Sequence, residues 1–253
     1  MLRRGMAGVA LAAGLALAAA TGAPPVHAEQ RPQVAPEAAR VLKTALERIG
    51  AARSFTFRAD VMKDAVMPSG QKIQFPGTLT VAVRRPNGLF NVVEGEHRTV
   101  RSWYDGKTFT LLNDVKNVYA CWAAPSKLDD LFGTMKDKLG FVPPLAPLLR
   151  DDPAALALSK VESGFVVGRG LIGGTPCQHL AFRGAKTDWQ VWVSDEAEPV
   201  VKRIVITYKL EPGAPQYAAT FISWDFAPSL SDADFAFTPP PGAIQCEFEP
   251  VRR

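Results

Sequence analysis

Period-two alternation of apolar and polar residues recurs along most of this chain. It constrains the fold more than any other feature. Phe55, Phe57, Ala59 and Val61 alternate with Thr56, Arg58, Asp60 and Met62, the pattern of a half-buried strand. Pro68-Ser69-Gly70 marks a turn, and Thr78–Arg84 repeats the alternation. Arg85-Pro86-Asn87-Gly88 turns the chain into Leu89–Glu94. Arg98–Tyr104 and Lys107–Leu112 flank Asp105-Gly106, a pair suited to a tight hairpin. Asn117–Ala123 continues the meander. A second set of strands follows over 165–172, 177–182, 189–194, 200–210 and 217–225, with a last short one near Ile244. Hairpin-length connections between about ten strands point to one large antiparallel sheet.

Two stretches have helical period instead. Pro36 suits a first helical turn. Val41, Leu42, Ala45, Leu46 and Ile49 share one face, and Gly50 is a natural stop. Between the two strand sets lies an apolar insertion over 126–159. Ser126-Lys127-Leu128-Asp129 resembles a capping box. Leu128, Leu131, Phe132, Met135 and Leu139 form a stripe ending at Gly140. Phe141–Leu149 is proline-rich, with a Pro143-Pro144 hinge, and Asp152-Pro153 opens a further short helix. Strands on both sides of the insertion put its helices on one face of the sheet. The expected fold is α+β, a single strongly curved antiparallel sheet wrapped over a few helices.

The first 28 residues have a different character. Arg3-Arg4, the uncharged run Gly5–Ala20, Pro24-Pro25 and Val26-His27-Ala28 read as a secretory signal cut after Ala28. The apolar run is short of the roughly twenty residues a membrane span needs. Residues 29–35 read as a flexible leader, and 36–253 as one domain. An exported chain works in the periplasm, without nucleotide cofactor pools. Of 29 Lys and Arg, two fall in the signal; the rest exceed the 25 Asp and Glu by two. That balance argues against nucleic acid as a partner. No later stretch is long and apolar enough to span a membrane.

Three cysteines follow the signal: Cys121, Cys177 and Cys246. An odd number in an oxidising compartment permits one disulfide. Cys177–Cys246 is the favoured pair, since both lie in the C-terminal half. Three buried thiols acting as small apolar residues are the alternative.

Catalytic signals are weak. Glu94-Gly95-Glu96-His97 reads as a polar turn, because a metal site wants more ligands at defined spacing. Cys177 and His179 share a strand face, but an ordinary strand explains them better than a nucleophile pair. A nucleophile elbow, a phosphate loop and a Cys-x-x-Cys pair are all missing from the sequence. The expectation is a non-enzyme with no catalytic residue, cofactor or metal.

The aromatic residues say more. In 189–193, Trp189, Val191 and Val193 face one way and Trp192 the other. In 217–225, Tyr217 and Phe221 oppose Ile222 and Trp224. Large residues on both faces fit a sheet with one face on helices and an apolar pocket along its concavity. The candidate pocket residues are Trp103, Trp122, Leu131, Phe132, Met135, Phe141, Trp192 and Trp224.

Four segments carry a resemblance: Trp103-Tyr104-Asp105-Gly106-Lys107, Gly174–Phe182, Trp189–Val193, and Pro215-Gln216-Tyr217 through Trp224. In order and spacing, over most of Pro36–Phe248, the chain resembles a bacterial family of predicted periplasmic proteins of unknown function. That family falls within the lipoprotein-carrier superfamily of LolA, LolB and the amino-terminal domain of RseB. The resemblance implies a LolA-like incomplete barrel curled around helices. It also implies a lipid, acyl chain or lipidated protein bound between sheet and helices. An envelope interaction or sensor module without a small ligand is the alternative, and a hydrolase the third reading.

Overall fold

The computed structural model describes residues 33–140 and 142–248. The expected signal over 1–28, most of the 29–35 leader and Phe141 lie outside the described residues.

Helix α1 (Pro36–Ala51) precedes six strands: β1 (Ser54–Val66), β2 (Lys72–Arg84), β3 (Gly88–Gly95), β4 (Arg98–Tyr104), β5 (Thr108–Asn113) and β6 (Val118–Ala123). Then come α2 (Leu128–Leu139), a 3-10 turn (Ala146–Leu149) and α3 (Pro153–Leu158). Strands β7 (Val161–Ile172), β8 (Thr175–Gly184), β9 (Thr187–Ser194), β10 (Val201–Tyr208) and β11 (Gln216–Asp225) follow, and β12 (Ile244–Gln245) closes the list.

All twelve strands form one curved, unclosed sheet, two more than expected, in the order β12-β6-β5-β4-β3-β2-β1-β11-β10-β9-β8-β7. Two meanders, β1–β6 and β7–β11, join through the antiparallel β1–β11 pair. The exception to antiparallel pairing is β12, which runs parallel to β6. It does so because the chain after β11 crosses the outer face of β3–β6 as a strap. Arg84 holds Asp232 at 2.6 Å, Phe237 lies on Trp103, and Asn117 Nδ2 donates to Pro241 O at 3.2 Å.

The inner face carries the core. Phe55, Phe57 and Ala59 of β1, Val81 and Val83 of β2, Leu180 of β8, Val191 of β9 and Phe221 of β11 are buried in one cluster with Leu42, Ala45 and Ile49 of α1. The expected helical faces are the buried ones. Their ends differ from expectation for physical reasons. Helix α1 passes through Gly50 to Ala51. A side chain at Gly50 would meet Asp151 O and Pro153 Cδ at 3.0 Å, so this glycine lets α3 approach rather than ending α1. No side chain caps α2, whose N-cap is Lys127. Asp129 holds the returning loop instead: its Oδ1 accepts from Asp151 N at 3.1 Å, and its carbonyl accepts from the Arg150 guanidinium.

Strands β1 and β2 run further than alternation implied, across Pro76. Strand β3 pairs with β2 from Gly77 onward, so the N–H that Pro76 lacks has no partner to lose on that side. A bulge at Arg58/Ala59 inserts Ile222 into β11. That single residue shifts the register, so Trp224 joins Phe221 on the inner face, with ring centroids 4.9 Å apart. The expected opposition of Phe221 and Trp224 is thereby corrected. The expected split in β9 holds: Val191 and Val193 are buried in the core and Trp192 faces outward.

Gly164 on β7 gives one test of this packing. A Cβ there would fall 2.3 Å from Phe182 Cδ1, and Phe182 is itself buried and stacked on Trp189. Gly164→Ala should lower stability by about 1–3 kcal/mol in a denaturant titration. A neutral result would mean that Phe182 is free to move.

Candidate functional site

The inner face of β3–β6 is the candidate ligand surface, and strand register builds it row by row. Leu89, Tyr104, Phe109 and Trp122 lie side by side across the four strands. This row abuts the insertion. Tyr104 Oη donates to Pro125 O at 2.6 Å, and Leu128 N at the start of α2 donates to Pro86 O at 2.8 Å. Leu89, Tyr104 and Phe109 are therefore buried. The next row is Asn91, Ser102, Leu111 and Ala120, and the one beyond is Val93, Val100, Asn113 and Val118. Here the cover thins: Asn91, Val93, Val100, Leu111 and Val118 are only half-buried. These two rows, apolar but for Asn91, Ser102 and Asn113, thus form a partly covered trough along the inner face of the sheet.

Polar groups are set into that trough. Trp122 Nε1 is buried with no hydrogen-bond partner among the described residues. Ser102, 6% exposed, adds a hydroxyl-bearing side chain in the neighbouring row. Leaving a buried donor unmet costs about 1–3 kcal/mol. A partly apolar surface that also carries an unmet indole N–H can take an amphiphile: a hydrocarbon chain along the rows, an acceptor-bearing head for the N–H.

The sequence candidates scatter over the fold. Trp122 lies at this surface, against Phe109 and Phe248, each at 4.5 Å between centroids. Leu131, Phe132 and Met135 of α2 are 0%, 1% and 4% exposed within the core cluster, so they fill the interior and present no open wall. Trp224 is half-buried and packs against the core, among Phe55, Phe57, Phe221 and Phe226, with its Nε1 donating to Val201 O at 2.8 Å. Trp192 sits on the outer face, stacked at 4.0 Å on His179 with Arg203 at 5.8 Å from its ring. Trp103 is also on the outer face, under the strap. Sequence reasoning missed Asn91, Ser102, Val93 and Leu111. The available signal was the alternation itself, which put polar Asn91 and Ser102 in register with apolar Leu89 and Tyr104.

The cysteines correct a second expectation. All three are free. Cys177 is on β8 and Cys246 follows β12, near opposite ends of the strand order, so the Cys177–Cys246 bond is not formed. Burial, ahead of any neighbouring charge, raises the Cys177 thiol pKa and leaves it a poor nucleophile. His179 bonds Gln190 through Nε2 at 2.9 Å, which accounts for it structurally.

Two cavities lie on the outer face. One, about 490 Å3, runs over Asp60, Thr78, Glu94, Arg203 and Thr220. The other, about 280 Å3, lies beneath the strap. Among the described residues no group of three His, Cys, Asp or Glu is placed to hold a metal.

Burial also raises the pKa of Tyr104, to about 12, and pushes Tyr208 and Tyr217 up. A tyrosine whose folded pKa exceeds its unfolded one contributes stability that is intact below pH 10. That stability is lost as pH climbs toward the folded value. Unfolding free energy should hold to about pH 9 and fall between about pH 10 and 12. Ultraviolet titration should show these phenols ionising only as the fold opens. Ordinary ionisation near pH 10 in the folded protein would contradict their burial.

The chain belongs to the family described as predicted periplasmic protein (DUF2092), whose model matches residues 38–249. No significant sequence match is found among curated proteins. Among solved structures it is similar to LprF from Mycobacterium bovis, at 12% identity over 83% of this chain and 99% of that one, with a TM-score of 0.46. It is also similar to the Mycobacterium tuberculosis lipoprotein LppX, at 14% identity over 78% and 99%, TM-score 0.47. A Thermus thermophilus protein shows 10% identity over 83% and 99%, TM-score 0.45. Likeness at this level assigns no ligand or partner. Among the described residues no helix is long and apolar enough to cross a membrane.

Proposed function

We propose that this is an exported periplasmic binding protein, cleaved after Ala28, for a lipid or acylated chain, and that it carries out no chemistry of its own. The trough on the inner face of β3–β6 holds the ligand. One observation carries the reading: the half-covered rows through Val93, Val100 and Leu111 share the inner face of β3–β6 with Trp122, whose buried Nε1 has no partner among the described residues. Each methylene laid on such a surface contributes up to about 0.8 kcal/mol, so a modest length of chain suffices. The family description as periplasmic agrees with the signal read from the first 28 residues. The candidate pocket shifts accordingly from α2 to the strands that face it.

Native mass spectrometry of protein purified from periplasm tests this. The expected spectrum carries an adduct of lipid mass that is lost on delipidation and restored by fatty acid. An apo mass alone, with no saturable binding of a fluorescent fatty acid, would contradict it. A second reading, an envelope interaction module, has its own support. Beyond Gly164, which Val34 already bridges, the β7 edge exposes Phe165, Val167 and Leu171 at 57%, 49% and 70%, an arrangement that invites strand addition.

A further inference from the structure

We propose that the cavity beneath the C-terminal strap binds a small organic cation, an alkylammonium group seated among aromatic rings. The site is separate from the inner-face trough and does not rest on that reading. Its floor is a cross-strand row on the outer face: Trp103 of β4 opposite Thr110 of β5, and Thr110 opposite Cys121 of β6. Its roof is Phe237 of the strap, whose ring centroid lies 5.0 Å from Trp103 and 5.0 Å from Tyr119. The half-open cavity has a volume of about 280 Å3, room for one small ligand group.

The lining fixes the charge of the occupant. Asp105 is the lone carboxylate among the lining residues, and no Lys or Arg is among them. An anion would meet aromatic faces and a like charge. A cation finds ring faces that attract it at up to about 6 Å, and a carboxylate to balance it. Asp105 is already oriented: its Oδ1 accepts from Lys107 N at 2.9 Å and Thr108 N at 2.7 Å, and its Oδ2 makes no hydrogen bond among the described residues. Thr110 points the same way. It is 3% exposed and lines the cavity, where it sets a hydroxyl among the rings.

The test is a choline titration of the full mature chain, read by NMR at the Trp103 indole. Three comparisons run beside it: 3,3-dimethylbutan-1-ol as the neutral isostere, monomeric dodecylphosphocholine, and the Asp105→Asn variant. Asn keeps the Oδ1 acceptor for the turn and removes only the charge. Choline should bind saturably, the neutral isostere about tenfold or more weaker, and Asp105→Asn should lose about tenfold. Phe237→Leu should weaken binding as well, with the same thermal midpoint for the sheet. Binding of choline alone assigns the site to a free ammonium compound; binding of both choline and dodecylphosphocholine assigns it to a lipid headgroup. If neither moves the Trp103 signal, or if the neutral isostere binds as tightly as choline, the proposal is overturned.

Discussion

Leu131→Ala should lower the unfolding free energy by about 2–5 kcal/mol. Leu131 is 0% exposed and shares its cluster with Phe132, Met135, Leu145 and Leu149. Truncation removes buried methyl and methylene groups and leaves a void that neighbours on separate elements cannot all move to fill. Equilibrium denaturation measures the loss. If Leu131 instead lined a ligand space, truncation would leave stability within about 1 kcal/mol and would widen the range of chain lengths bound. That outcome would restore α2 as the pocket wall.

Trp122→Phe separates stability from binding. The indole N–H is buried without a partner among the described residues, so its removal deletes an unmet donor. The phenyl ring keeps contact with Phe109 and Phe248. Relief of the stranded donor offsets the lost packing, and stability should change by less than about 1 kcal/mol. Fatty-acid affinity should fall about tenfold, equivalent to about 1.4 kcal/mol of one hydrogen bond to the head group. A large stability loss with unchanged affinity would make Trp122 an ordinary core residue.

Much of the fold was legible because it is written in local period. The alternation in 55–61, 78–84 and 98–104, and the stripe Leu128 to Met135, each depend on residues within one element. What was not legible depends on partners far along the chain. The bulge at Arg58/Ala59 arises between β1 and β11, and it alone turns Trp224 inward. The role of Gly50 is set by α3, about a hundred residues on. The parallel β12 exists because a strap crosses four strands. The same limit governed the site. Trp103 and Trp122 stand on adjacent parts of one meander with opposite faces, and counting aromatics could not separate an outer cavity from an inner trough. Asn91 and Ser102 escape a reading by size, because their signal is polarity on a face otherwise lined by Leu89 and Tyr104.

Photo-crosslinking with a diazirine fatty acid, followed by peptide mapping, tests most directly whether the concave surface of β3–β6 is where an amphiphile lies. Label should concentrate in peptides spanning Leu89–Trp122, and Trp122→Phe should reduce it. Label confined to 161–225, or to the strap around Phe237, or none above a non-binding control, would contradict the assignment.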